Sequence, residues 1–273
     1  MSLQGDEVGS RPFAIGFLTA LVSAELIPFE TALAQKGWTK EPSPQKRYSD
    51  ASISQWRKSI HGQTVTAFSM AISKMGQAFA AVETLAFLER TKCSFLVLSG
   101  IAGSLKRDEF KKKDVVIGQK IFWKGQNKVT AGGDCETQAA GTAKAGICCD
   151  QYRASNYRTF EYETDLDRKL LHHHARRYPN EKENNFAKDT FGVHVADILT
   201  WDYVLSHRKI VADFNKALPT ASCVEMEAGG FREAANRYSM IKAERPVQGF
   251  VVRGISDYAD EKDSDSVTRG AAS

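Results

Sequence analysis

The chain has 273 residues, 42% hydrophobic and 26% charged, with 20 Gly, 7 Pro, and 37 Lys and Arg against 33 Asp and Glu. This composition excludes collagenous, coiled-coil and wholly disordered chains, and a formal charge of +4 is too small to argue for a nucleic-acid partner. The length allows one α/β domain or two small ones. Residues 1–11 (MSLQGDEVGSR) are polar and read as a disordered leader. The apolar run from Phe13 to Leu21 predicts a buried strand, and Ala24 to Gln35 a helix that ends near Gly37. Lys40 to Asp50, with two prolines, predicts a surface loop. Gln55 to Ile60 and Gln63 to Met70 flank His61-Gly62 and predict a hairpin. Gly76 to Glu89 predicts a helix with one apolar face. Phe95 to Leu98 predicts a second buried strand leading into Ser99-Gly100-Ile101-Ala102-Gly103, and Asp114 to Ile117 a third. Gly125 to Cys149 lacks periodicity and reads as an irregular insertion. Then follow a helix over Asp165 to Arg177, a strand over Phe191 to Leu199, helices over 204–216 and Val224 to Tyr238, and a last buried strand over Val247 to Ile255. Strands alternating with helices imply a three-layer αβα sandwich around a mixed, mostly parallel sheet. No repeat or linker interrupts it, so residues 12–273 are expected to form one domain.

Five cysteines, Cys93, Cys135, Cys148, Cys149 and Cys223, form an odd set without zinc spacing. Together with a polar start that carries no signal peptide, they predict free thiols and a cytoplasmic location. No apolar run reaches bilayer length, so no membrane partner is expected. His172-His173-His174 suggests metal, but adjacent helical residues point about 100° apart and cannot chelate together. Lys111-Lys112-Lys113 beside Lys106-Arg107 reads as a solvated basic loop, or as one that attracts the phosphates of a nucleotide; His194 reads as a packed core residue.

Open α/β sheets bind ligands beyond the carboxyl ends of their strands, and three segments fall there. In Ser99-Gly100-Ile101-Ala102-Gly103 small residues let backbone N–H groups approach a ligand, although a tight strand-to-helix turn uses the same residues. In Val224-Glu225-Met226-Glu227-Ala228 two carboxylates flank a Met at a predicted helix start, where Glu also complements the dipole. In Arg253-Gly254-Ile255-Ser256-Asp257 an Asp follows a buried strand, a position equally suited to a helix N-cap.

Taken together, VEMEAGG and the later VVRGISDYAD resemble the signature of the nucleoside phosphorylase and nucleosidase superfamily, and are most similar to its methylthioadenosine/S-adenosylhomocysteine nucleosidase branch. The order of IGFLTAL, KMGQAFAAVETLAFL, SGIAGSL, DVVIG and Thr200-Trp201-Asp202 agrees, so the resemblance runs from about Phe13 to Asp260. It implies hydrolysis of the N-glycosidic bond of a purine, expected to be adenine, in a nucleoside or nucleotide. It implies no metal or organic cofactor, and a homo-oligomer. A departing purine is an anion unless protonated, and the ribosyl carbon becomes oxocarbenium-like, so the reaction needs an acid, a grip on the ribose and a nucleophile. By resemblance Asp257 is the acid at the purine N7, and Ser256 orients it. Glu227 accepts hydrogen bonds from ribose hydroxyls, Met226 packs on the sugar face, and the backbone around Ala102 and Gly103 borders base and sugar. An Asp acting as acid must be protonated, so its pocket is expected to raise its pKa.

The chain departs from the branch in two places. The branch activates water with a Glu shortly after the first strand; a gapless alignment sets Ala24 there and Glu25 one residue later. One residue on a helix turns a side chain by about 100°, and a one-residue bulge in the preceding loop restores it, so Glu25 is the expected base. The branch also stacks the purine on an aromatic residue two positions beyond the Asp that matches Asp202, where this chain has Val204 with Tyr203 beside it. Phosphorolysis on the same scaffold needs a cationic cradle, and the first loop has neither Gly nor Arg. The other alternative, a non-catalytic nucleoside-binding or oligomerisation domain of a larger protein, is supported by the Ala24/Glu25 offset and opposed by the intact VEME and SD pair. The polar stretch from Tyr258 to Ser273 is too short for the closing helix expected of the family, which suggests a domain cut short or excised from a longer chain.

Overall fold

The computed structural model describes residues 14–42, 52–124, 157–161 and 191–260. The leader, most of the predicted loop up to Asp50, the Gly125–Cys149 insertion with Cys135, Cys148 and Cys149, the Asp165–Arg177 helix with its three histidines and the tail beyond Asp260 lie outside the described residues.

Among the described residues ten strands form one mixed sheet: β1 (Ala14–Thr19), β2 (Thr39–Glu41), β3 (Ser54–Ile60), β4 (Gln63–Ala71), β5 (Phe95–Ser104), β6 (Val115–Lys124), β7 (Tyr157–Glu161), β8 (Val193–Thr200), β9 (Ala221–Glu225) and β10 (Gln248–Tyr258). Among the described residues four α-helices accompany them: α1 (Ile27–Gln35), α2 (Gln77–Thr91), α3 (Arg208–Ala217) and α4 (Ala228–Ile241). The order across the sheet is β10-β6-β8-β9-β5-β1-β4-β3-β2, with β7 on β6. β4, β1, β5 and β10 are parallel neighbours, as are β6, β8 and β9. β5 pairs with β1 over Phe95–Leu98 and, further along, with β9 at Gly103 and Ser104, while running beside β10 for its whole length. Because β10 also pairs with β6, strands β5, β10, β6, β8 and β9 close a ring, from which β1, β4, β3 and β2 extend as an open sheet.

Alternation along β1 builds the layers. Leu18 enters a core shared with Phe87 and Leu88 of α2 and Phe231 of α4, whereas Phe17 faces Phe29 and Leu33 of α1 and Trp56 of β3. A third cluster joins Val211 and Phe214 of α3 to Leu199, Trp201 and Val224. β3 and β4 form the expected hairpin, with His61 at φ 50° and Gly62 at φ 77°, the two left-handed residues that a two-residue turn between twisted strands demands.

Several elements differ from their sequence reading. The Ser99–Gly103 run is no strand-to-helix turn but the second half of β5, which continues to Ser104. β10 runs through Ser256 and Asp257 to Tyr258. The predicted helix over Val224–Tyr238 is a strand, β9, followed by α4 from Ala228; the short, wholly buried β9 has no polar alternation to separate it from the helix. α3 starts at Arg208 rather than 204, because His207 is extended and Val204 and Leu205 turn toward a cavity. Lys40 and Glu41, placed in a surface loop, belong to β2. His194 is not a packed core residue: its side chain is 35% exposed and pairs with Asp114 at 3.1 Å. Cys93 and Cys223 are free and buried, and burial pushes their thiols up to about 11 and about 12, so both are inert. No described helix is long and apolar enough to cross a membrane.

Phe87 is fully buried against Gly16 of β1, where a Cβ would lie 2.4 Å from its ring. Phe87→Ala is expected to cost roughly 3–5 kcal/mol of unfolding free energy, read from urea denaturation followed by circular dichroism. A loss below 1 kcal/mol would show that α2 does not seal the core.

Candidate active site

A cavity of about 250 Å³ opens where β1, β4, β5, β8, β9 and β10 end. Glu25, Ala102, Gly103, Val204, Met226, Glu227, Ser256 and Asp257, the eight residues singled out from the sequence, all line it. They arrive from five separated segments of the chain, so the fold alone brings them together.

Glu25 reaches the cavity by a local irregularity. Val22–Leu26 is a π-helical turn, in which the N–H groups of Leu26 and Ile27 bond to the carbonyls of Leu21 and Val22, five residues back. Such a turn holds one residue more than an α-turn. It supplies the bulge that the offset between Ala24 and Glu25 calls for, within the helix rather than in the loop before it. The Glu25 carboxylate is 3% exposed; Oε2 accepts from the N–H groups of Ala20 (2.6 Å) and Leu21 (2.9 Å), and Oε1 from that of Ile101 (3.0 Å). Three backbone donors hold it, with no side-chain partner of opposite charge within hydrogen-bond reach among the described residues.

Arg253 lies behind the cavity with no exposed surface. Its guanidinium binds Glu225 Oε2 and lies 3.2 Å from Glu227 Oε2. Burial works against its charge, but Glu225, Glu227 and Glu25 outweigh that and push its pKa above the ordinary arginine value. Arg253 stands opposite Gly100 in the β5–β10 register, and a Cβ at Gly100 would fall 2.1 Å from Arg253 Nη1 and 2.7 Å from Glu25 Oε1. Gly100 therefore makes room for these two side chains. Glu225 also accepts from the N–H groups of Glu227 and Ala228 at the start of α4, where a carboxylate is favoured. The sequence named Glu225 as one of two carboxylates flanking Met226 but gave it no role, and the inward course of Arg253 was not read from it.

Three buried carboxylates thus surround one guanidinium. Burial, then Glu225 and Glu25, push the Glu227 carboxyl up to about 7, against the opposing pull of Arg253 and the Gly76 N–H, which lies 3.2 Å from its Oε1. Across the cavity Asp257 sits at a β-bulge, where the β5 register shifts after Ile255. Ser256 Oγ donates to Asp257 Oδ2 at 2.8 Å, while the buried Oδ1 has no hydrogen-bond partner among the described residues. It faces Gly103, where a Cβ would lie 3.0 Å away. An orphaned carboxylate oxygen on a cavity wall is a position for a ligand donor. Tyr203 and Val204 form half-exposed apolar parts of the rim. The basic Lys111–Lys113 loop does not line the cavity, and no described group of His, Cys, Asp or Glu side chains is disposed to hold a metal ion.

This arrangement of sheet, ring and acid-lined cavity is that of a known class. The chain belongs to the phosphorylase superfamily, whose family model matches residues 34–272. No curated protein matches it in sequence. Among solved structures it is similar to a 5′-methylthioadenosine/S-adenosylhomocysteine nucleosidase from Colwellia psychrerythraea in complex with adenine (18% identity, TM-score 0.57, covering 96% of this chain and 88% of that one). It is similar also to the futalosine hydrolase of Helicobacter pylori (18%, 0.57, 95% and 94%). A third is the 5′-methylthioadenosine/S-adenosylhomocysteine nucleosidase from Neisseria meningitidis in complex with methylthio-immucillin-A (19%, 0.56, 95% and 93%). At these identities the likeness is one of fold.

Two outcomes follow from the geometry. Gly100→Ala must displace Arg253 or Glu25, and is expected to cost roughly 1–3 kcal/mol in urea denaturation; an unchanged midpoint would mean that the two side chains do not meet across β5. Glu227, with its folded pKa above the unfolded value near 4.5, contributes stability that is complete at acid pH and is lost as pH rises through about 7. Glu227→Gln should therefore flatten the fall in urea midpoint between pH 5 and pH 8, and an identical slope in the variant would place the proton elsewhere.

Proposed function

We propose that the protein hydrolyses the N-glycosidic bond of a purine nucleoside, with adenine the expected base and water the nucleophile. The observation that carries this reading is the convergence in one cavity of Asp257, with an unpartnered oxygen, and Glu25 and Glu227, whose carboxylates are held from behind by backbone N–H groups and Arg253. Asp257, oriented by Ser256, would give a proton to the purine N7 as the bond from ribosyl carbon to N9 breaks and its electron pair passes to the base. Glu227 accepts hydrogen bonds from the ribose hydroxyls, Met226 packs on the sugar, and Ala102, Gly103 and Val204 border the base. Water attacks the ribosyl carbon and gives its proton to Glu25.

No Lys or Arg is among the described residues lining the cavity, while Glu25, Glu225, Glu227 and Asp257 are. This favours water over phosphate, and a nucleoside over a nucleotide. The π-helical turn removes the main support for a non-catalytic domain. Exposed Val22, Ile27, Phe79 and Val82, near the rim residues Leu21 and Met75, support a homo-oligomer. Free, buried Cys93 and Cys223 fit a cytoplasmic location.

The test is release of free base, followed chromatographically, from a panel of purine nucleosides and nucleotides with and without phosphate. Release independent of phosphate is expected. Asp257→Asn should abolish it, and Glu25→Gln should lower kcat by about 10²–10⁴-fold. Phosphate dependence would overturn hydrolysis, full activity of Glu25→Gln the base assignment, and no release from any compound the enzymatic reading.

A further inference from the structure

The first turn of α2 is tied to two of the segments that face the cavity. Gln77 is 4% exposed, and its carboxamide is fully engaged. Nε2 donates to Thr200 Oγ1 at the end of β8 and to the carbonyl of Met226, while Oε1 accepts from the N–H of Gly230 at 2.6 Å. Its backbone N–H donates to Asp202 Oδ1 at 2.9 Å, two residues before Val204. Beside it, the N–H of Gly76 is the donor to Glu227 Oε1. The approach is close: a Cβ at Gly230 would lie 2.0 Å from the Gln77 carbonyl oxygen, and one at Gly229 2.8 Å from Gln77 Oε1. The Gly229-Gly230 pair therefore exists to let α4 begin against the backbone of α2.

From this geometry we propose that Gln77 is a positioning residue for ribose recognition: it clamps the turn from Met226 to Gly230 so that Glu227 presents its carboxylate to the sugar hydroxyls. The proposal rests on the nucleosidase reading above. A glutamine suits the post because one neutral side chain supplies two donors and an acceptor inside a region that already holds three carboxylates and a guanidinium. A charged residue there would add to an uncompensated set, and an apolar one would leave the Met226 carbonyl and the Gly230 N–H without partners.

The clamp acts through Glu227, so its loss should be felt only by substrates that Glu227 can grip. Gln77→Leu, with a side chain of similar length, is compared with the wild type on a purine nucleoside and on its 2′- and 3′-deoxy analogues. KM for the ribonucleoside is expected to rise about tenfold with kcat changed less, while KM for the analogue lacking the gripped hydroxyl stays within about twofold of the wild-type value. Equal losses on all three substrates would overturn the proposal, because a merely structural role does not distinguish them. If Gln77→Leu does not fold, Thr200→Val removes one anchor of the carboxamide and carries the same comparison. A wild type that neither cleaves nor, by calorimetry, binds these nucleosides would sink the nucleosidase reading itself. A wild type that does, with a variant whose losses are equal on all three substrates, sinks the positioning role alone.

Discussion

A guanidinium with no exposed surface is among the most demanding objects a fold can hold. Taking such an ion out of water costs several kcal/mol even after relaxation, and the cost is recovered only by partners of good geometry. Arg253 meets that demand with Glu225 and Glu227, and the demand reaches well beyond the pair. It requires a residue without a side chain opposite it on β5, which is Gly100. It requires β9 to end where Glu225 meets the guanidinium, and α4 to start there so that its N-terminal N–H groups share the same carboxylate. With Glu25 drawn in as well, negative charge exceeds positive, and the excess is absorbed locally. Backbone donors hold Glu25, a helix start holds Glu225, and Glu227 keeps its proton to near neutrality.

The closed ring turns this cluster into a cavity wall. β5 leaves β1 midway to meet β9, and β10 follows β5 while also reaching β6. Strand ends that would diverge in an open twisted sheet are thereby held around one space. The β-bulge before Asp257 then turns that carboxylate toward Gly103 while Ser256 stays bonded to it.

Much of this was legible in the sequence, for reasons that also explain what was not. Long apolar runs and the His61-Gly62 turn revealed β1, β4, β8 and β10 and the hairpin, because burial and left-handed turn residues leave strong local marks. β9 and the second half of β5 left weaker ones: five buried residues merge with the helix that follows, and a glycine-rich strand imitates a turn. The cavity-lining residues were recognisable from VEME and SD, but the π-helical turn was not, since an i→i+5 bond alters hydrogen bonding without altering residue type. Gln77 was invisible for a related reason. A glutamine at the start of a helix is unremarkable until Gly229 and Gly230 are seen to bring another helix against it.

The charge already present in the cavity bears on the choice of nucleophile. Two unit charges 4 Å apart interact by about 4 kcal/mol at the effective dielectric of about 20 that suits protein sites. A phosphate dianion set beside Glu25 and Glu225 would meet such repulsions, and Arg253 is already committed to Glu225 and Glu227. Protonating Glu227 removes only part of that field. Water enters without charge, can donate to Glu25, and leaves the Arg253 cluster intact. The electrostatics that hold Arg253 inside the protein thus support water as the nucleophile of the proposed reaction.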